Sequence, residues 1–264
     1  MAHRVETNGI TLAYEDTGGD GAAVIFTHGL GGSANGWLAQ LEACRERGWR
    51  GIAYDQRGAG RSEKPAGPYS VTTWAEDLVG LLEGLGIERA ALVGHSVGCM
   101  VAERAAVALG TRARALALCG GALGWRPEAK PVFEERVRQA RAGRLDEIAE
   151  LVASTGLSER CRHDDPRLLG LMRELIVSND AAAYAECSAA TAVATMDRPG
   201  EVVCPVLAFC GSEDPVTPPA ASAEIAEAVP DGRTGVVAGA AHWCMIESPE
   251  ATNRVLFGFL ENIG

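Results

Sequence analysis

Gly94-His95-Ser96-Val97-Gly98 decides the reading of this chain, because it lies between a strand-like run, Ala90-Ala91-Leu92-Val93, and a helix-like one, Met100-Val101-Ala102-Glu103-Arg104-Ala105-Ala106. A turn from strand directly into helix is this tight only if the positions two before and two after the serine lack side-chain bulk, which Gly94 and Gly98 provide. The Ser96 hydroxyl then stands at a helix N-terminus, where free N–H groups and the positive end of the helix dipole stabilise an oxyanion. A serine that only caps the helix in a Gly-rich turn is the plainer alternative. The strand before it and the helix after it favour a nucleophile.

Outward from this turn, short β-like runs alternate with helix-length segments, the pattern of a mostly parallel sheet covered on both faces. Upstream, Val5-Glu6-Thr7 and Ile10-Thr11-Leu12-Ala13-Tyr14 flank Asn8-Gly9, a two-residue hairpin signal that predicts an antiparallel edge. Ala22 to Phe26 and Ile52 to Tyr54 read as buried strands, followed downstream by Ala115 to Cys119, Val206 to Cys210 and Thr234 to Val237, for about eight strands in all. Trp74 to Leu82 reads as a helix with Thr72 or Thr73 as its N-cap. Between Gly120 and Gly200 the strand signal stops and amphipathic helical patterns take over. Residues 121–200 are therefore expected to form a helical lid inserted into a core of residues 1–120 and 201–264, closing over the C-terminal ends of the strands.

Three more segments carry chemistry. Phe26-Thr27-His28-Gly29-Leu30-Gly31-Gly32 follows the first buried strand, and its glycines let the backbone bend toward the nucleophile, so the Leu30 N–H is expected to join that of Val97 in an oxyanion hole. An ordinary strand-end turn is the alternative. Asp214, in Gly211-Ser212-Glu213-Asp214-Pro215-Val216-Thr217-Pro218, stands just past a strand end and fits an orienting carboxylate, with an Asx turn as the alternative and Glu213 as the substitute acid. His242 follows the last strand, is the only histidine after His163, and completes the order Ser, Asp, His. His28 and His95 are read as structural, His3 as a surface residue and His163 as part of a solvated lid loop.

These four separated motifs resemble the α/β-hydrolase superfamily over essentially the whole chain. Tyr54-Asp55-Gln56-Arg57-Gly58-Ala59-Gly60-Arg61-Ser62 looks like the D-x-R-G-x-G-x-S turn of such enzymes, which the resemblance makes a structural brace. Gly211 to Pro219 and Asn179 to Tyr184 look like 3-oxoadipate enol-lactonases and their esterase relatives. The elbow departs from that subfamily in Val97 after the serine and Cys99 where a second glycine often follows Gly98. The implied activity is serine-dependent cleavage of a carboxylic ester or lactone through an acyl-enzyme, without cofactor or metal. Carbon–carbon bond hydrolysis and acyl transfer remain open on the same fold, as does a ligand-sensing receptor that keeps the triad. Trp125, Phe133, Leu168, Met172, Tyr184 and Trp243 are expected to line a largely apolar pocket for a small or medium substrate.

Composition agrees with a small-molecule enzyme. In 264 residues, 47% are hydrophobic and 22% charged, with no apolar run long enough to span a bilayer. The net charge of −11, with basic residues scattered, argues against a nucleic-acid partner. The N-terminus lacks an export signal and the eight cysteines lack paired spacing, so a soluble cytoplasmic protein with reduced, buried thiols is expected, its oligomeric state left open.

Overall fold

The computed structural model describes residues 3–263. Asn8 and Gly9 take φ of 44° and 73°, the two positive values a type I′ turn needs, and they join β1 (His3–Thr7) to β2 (Ile10–Asp16) in an antiparallel pair with Thr7 opposite Ile10. The other strands are β3 (Ala23–Thr27), β4 (Arg50–Tyr54), β5 (Ala90–His95), β6 (Ala113–Cys119), β7 (Val206–Gly211) and β8 (Gly232–Val237). They form one eight-stranded sheet in the order β1-β2-β4-β3-β5-β6-β7-β8, parallel from β4 onward. Every residue of β3, β5 and β7 is buried, which is why these strands read as continuous runs and not as alternations.

Helices cover both faces. Packed on one side are α1 (Leu38–Glu46), α10 (Cys244–Glu247) and α11 (Pro249–Leu260), around Trp37, Phe26 and Phe257. On the other are α2 (Val71–Gly84), α3 (Val97–Leu109) and α9 (Pro219–Ala228), around Leu78, Leu82, Val101 and Ile225. The N-cap of α2 is Ser70, in extended conformation, whose Oγ accepts from Thr73 N at 3.1 Å. This corrects the expectation of Thr72 or Thr73, which both lie inside the first turn.

Between β6 and β7 the chain forms five helices: α4 (Ala129–Arg141), α5 (Leu145–Gly156), α6 (Glu159–Asp164), α7 (Pro166–Val177) and α8 (Ala181–Ala192). Ser158, Asp165 and Asp180 cap α6, α7 and α8 by accepting from Cys161 N, Arg167 N and Ala183 N, which explains where those helices begin. An isolated antiparallel bridge, Gly124 to Thr195, ties the two ends of the segment together, and Trp125 Nε1 donates to Thr191 O at 2.6 Å beside it. No helix among the described residues is long and apolar enough to cross a membrane.

Asp77, on α2, is buried and accepts two bonds from Arg57, at 2.8 and 2.7 Å, and one from Asn8 Nδ2 at 2.8 Å. One carboxylate thus fastens the first hairpin and the turn after β4 to the helix layer. Removing it leaves a mostly buried guanidinium without a counter-charge. Asp77→Ala is expected to lower the unfolding free energy by about 3 kcal/mol in urea titration followed by far-ultraviolet circular dichroism; a loss within the scatter of surface substitutions would contradict this role.

Candidate active site

Ser96 has φ 54° and ψ −123°, and with Asn8 it is one of two non-glycine residues of positive φ among the described residues. The turn closes because its neighbours have no Cβ. One on Gly94 would lie 2.4 Å from Gly98 O, and one on Gly98 2.6 Å from both Thr27 O and His28 O. Gly29, from the loop after β3, approaches so closely that a Cβ there would sit 2.9 Å from that of Ser96. Cys99 is accommodated by pointing its thiol at Gly94 O and Cys119 O, each at 3.3 Å, while Gly121 leaves room for its Cβ. Val97 is the first residue of α3, so its N–H has no intrahelical acceptor. Neither it nor the Leu30 N–H donates to a protein acceptor among the described residues.

His242 comes from the loop after β8. Its Nδ1 lies 2.8 Å from Asp214 Oδ2, so Nδ1 carries the proton and Nε2 is left as the acceptor. Asp214 is buried and also accepts from Val216 N at 2.8 Å, Thr217 N at 2.9 Å and Thr217 Oγ1 at 2.9 Å. Burial alone pushes the Asp214 pKa up, but the His242 imidazole and the Thr217 donors outweigh it and hold the carboxyl below its ordinary value. Gly120, at φ 61°, passes close under the ring, where a Cβ would lie 3.2 Å from His242 Nδ1. Ser96 and His242 line the same cavity without a direct hydrogen bond between their side chains. Such contacts are often loose in unliganded sites and tighten with substrate.

His28 and His95 are held by backbone. His28 Nε2 accepts from Gln56 N at 3.0 Å and its Nδ1 faces Gly29 O at 2.7 Å, which fixes its tautomer. His95 Nε2 donates to His242 O at 3.0 Å, and its ring centre lies 4.8 Å from that of His242 and 4.6 Å from that of Trp243. Both are buried and depressed in pKa by desolvation, His95 to about 3. His163 is exposed and sits at the end of α6, where its Nδ1 lies 2.8 Å from Asp164 Oδ1; it is helical, not in a loop.

A cavity of about 610 Å³ opens above Ser96 and His242. Of the six residues expected to line it, Trp125, Phe133 and Trp243 do, with the Trp125 and Phe133 rings 5.4 Å apart. Tyr184 instead borders a small adjoining hollow shared with Leu30, Gly31 and Val97. Leu168 and Met172 are not on the wall. The apolar face of α7 turns toward α5 and not toward the sheet, so Met172 is wholly buried and Leu168 half-buried in that packing. Helical periodicity marks an apolar face without saying which neighbour covers it.

Sequence reasoning passed over three groups. Thr217 stands three residues after Asp214 and donates both its N–H and its hydroxyl to that carboxylate, a spacing that fits an Asx turn. Glu247 accepts from Ala241 N at 2.9 Å and from Ser158 N at 3.2 Å, and also bonds the Ser158 hydroxyl; no local signal announces it. Arg136 lies one helical turn from Phe133 and also lines the cavity.

With the geometry in view, the profile of the alpha/beta hydrolase fold family matches residues 22–249. A protein of Escherichia coli O139:H28, named as a candidate carbamate hydrolase, RutD, is 29% identical over 260 residues, covering 92% of this chain and 93% of that one. The crystal structure of the enol-lactonase from Burkholderia xenovorans LB400 is similar with a TM-score of 0.91 and 28% identity, over 98% of this chain and 100% of that chain. A thermophilic esterase from Thermogutta terrifontis, with malate bound, has a TM-score of 0.91 and 27% identity over 100% of this chain and 99% of that chain.

The buried neutral imidazoles have a consequence for acid stability. An unfolded histidine titrates near 6.5, whereas folded His95 holds out to about 3. Between those values the unfolded chain binds a proton that the folded chain does not, so this group favours unfolding increasingly as pH falls through that window and is neutral above it. The loss of unfolding free energy between pH 7 and pH 5 is expected to shrink by about 2 kcal/mol in His95→Asn, read from urea midpoints at the two pH values. An equal loss in both proteins would contradict the assignment.

Proposed function

This chain belongs to the alpha/beta hydrolase fold family, and we propose that it is a serine hydrolase acting on carboxylic esters or lactones, with Ser96 as nucleophile, His242 as base and Asp214 as its orienting acid. The observation that carries the reading is the 2.8 Å contact of His242 Nδ1 with a carboxylate whose other bonds are all filled, in the cavity wall that also holds the strained serine. A carboxylate so fixed keeps the imidazole in the tautomer that accepts a proton at Nε2 and steadies the imidazolium when it forms.

In this reading the Ser96 hydroxyl gives its proton to His242 Nε2 as Oγ attacks the carbonyl carbon. The oxyanion accepts from the free N–H groups of Leu30 and Val97, a pair of donors worth roughly 3 kcal/mol each in the transition state. His242 returns the proton to the departing alkoxide, then takes one from water as it attacks the acyl-enzyme and passes it to Ser96 Oγ as the acid leaves. Residues 121–200 act as a lid over a core of residues 1–120 and 201–264, because α4 and α5 supply Phe133, Arg136 and Val152 to the wall opposite the strand ends. The substrate is a small molecule and the enzyme works in the cytoplasm. The carbamate named for the bacterial relative presents a carbonyl of the same kind, and it is tested beside the esters.

Turnover of p-nitrophenyl acetate by the purified protein is the direct test. Ser96→Ala is expected to reduce kcat by 10³-fold or more, and Asp214→Asn by roughly 10⁴-fold through the wrong imidazole tautomer, with an initial burst of nitrophenol if deacylation is slow. Equal rates for wild type and Ser96→Ala would reject the reading. Fast multiple turnover would argue against a ligand-sensing receptor.

A further inference from the structure

The turn that carries Leu30 is bonded to the helical insertion. Gly32 N donates to Gly29 O at 3.0 Å and Gly31 takes a φ of 75°, so residues 29–32 form a turn with the positive φ at its third position that type II requires. The corner between α7 and α8 packs directly on it: a Cβ on Gly31 would lie 2.5 Å from Ile176 Cδ1 and 3.0 Å from Tyr184 Cε2. Asn179 is half-buried in that corner. Its Nδ2 donates to Gly31 O at 3.2 Å, as well as to Leu175 O at 2.7 Å and Ile176 O at 3.1 Å at the end of α7. Three carbonyls face one end of this amide, and only the amino end can bond them. No other donor reaches Gly31 O among the described residues.

Gly31 O and Gly32 N–H belong to one planar peptide unit, and Gly29 O and Leu30 N–H belong to another. The bond from Asn179 fixes the first plane. The bond from Gly32 N to Gly29 O passes that orientation to the second plane, which ends in the Leu30 N–H. Each donation onto a carbonyl also polarises the N–H on the far side of the same peptide, so the hydrogen bonds of such a chain strengthen one another. His28 Nδ1 holds Gly29 O from the core side at 2.7 Å, and Asn179 is what the insertion adds. Val97 needs no comparable support, because the first turn of α3 already aims its N–H.

We propose that Asn179 is a positioning residue for the Leu30 oxyanion donor, acting through the Gly31–Gly32 and Gly29–Leu30 peptides, so that the insertion takes part in catalysis without touching the reacting atoms. The proposal rests on the reading of Ser96 as nucleophile and of the Leu30 N–H as one of its two oxyanion donors. Such a donor bonds the transition state more strongly than the bound ester. Loss of the Asn179 amide therefore lowers kcat and kcat/KM together and leaves KM nearly unchanged.

The test measures p-nitrophenyl acetate hydrolysis, and inhibition by a methyl trifluoromethyl ketone whose serine adduct carries the oxyanion, in wild type, Asn179→Ala and Ser178→Ala. Ser178 Oγ also donates to a carbonyl at the end of α7, Leu175 O at 3.2 Å, but makes no bond to the turn among the described residues. Its variant therefore reports the loss of a helix-end bond alone. Asn179→Ala is expected to lower kcat roughly tenfold, part of the roughly 10²–10³ that removing a whole oxyanion donor costs. KM should stay within about twofold, and the ketone should weaken by roughly the same factor as kcat. Ser178→Ala is expected to match wild type in both measurements. An unchanged kcat or ketone affinity in Asn179→Ala, a rise in KM that accounts for the loss of kcat/KM, or an equal loss in Ser178→Ala overturns the proposal. Asn179→Ser, which keeps a hydroxyl beside the α7 carbonyls, serves the same comparison should the alanine variant not fold. If wild type shows no turnover through Ser96, the hydrolase reading fails by itself, and amide hydrogen exchange still decides the chain of bonds. Exchange of the Gly32 N–H roughly tenfold faster in Asn179→Ala than in Ser178→Ala supports it, and equal rates overturn it.

Discussion

Ser96 is held in a backbone conformation, φ 54° and ψ −123°, that costs a residue with a Cβ on the order of 1–3 kcal/mol. The surrounding packing over-determines it. Ser96 N donates to Cys119 O at 3.0 Å, and Cys99 N donates to Ser96 O at 2.9 Å. The close approaches of Gly94 to Gly98 O and of Gly98 to Thr27 O fix how far α3 stands from β3 and β5. Relaxing φ at the serine would therefore mean sliding a helix against the middle of a buried parallel sheet. The strain persists because the surrounding contacts hold it in place.

With Ser96 fixed, the other residues of the proposed site must be brought to it from loops beyond the strand ends, where no ladder bonds are left to hold the backbone. Buried polar side chains take over that task. Gln56 donates from its backbone to the His28 ring and from its side chain to His28 O at 2.7 Å, tying the loop after β4 to the one that carries Leu30. Asp55 accepts from Ala34 N at 2.7 Å and from Arg61 N at 2.8 Å, closing the turn read as a brace. His95 holds His242 through the latter's carbonyl. These imidazoles serve as neutral donors and acceptors, and burial keeps them neutral.

The same division explains which features could be read in the sequence. A parallel strand buried on both faces must be apolar throughout, and a strand-to-helix turn must discard side chains, so β3, β5, β7 and the elbow glycines left unambiguous marks. Asn8-Gly9 fixed the hairpin for the same local reason. Ser96, Asp214 and His242 each stand at a strand end, and chain order alone could link them. The pocket wall obeys no such local rule. Met172 and Phe133 occupy similar positions in amphipathic helices, yet one lies inside the packing of α5 against α7 and the other faces the cavity, because the placement of α4 to α8 depends on mutual packing. Arg136 was hidden for that reason, among arginines of which most face outward.

The helical insertion and the histidine loop are joined more closely than their separation in the chain suggests. Glu247 binds the Ala241 N–H, next to His242, and with the same carboxylate holds both donors of Ser158 at the start of α6. Trp243 N donates to Gly156 O at 3.0 Å, and Gly156 lies so near the indole that a Cβ would approach Trp243 Cδ1 to 2.6 Å. The end of α5 is thus bonded on both sides to the segment that aims the imidazole, while α5 also contributes Leu151, Val152 and Thr155 to the cavity wall. Gly156 and Ser158 thus connect that wall directly to the backbone at 241–243, and close-packed, hydrogen-bonded segments have little room to shift separately. The shape of that cavity wall and the orientation of the His242 imidazole are therefore one mechanical problem in this molecule.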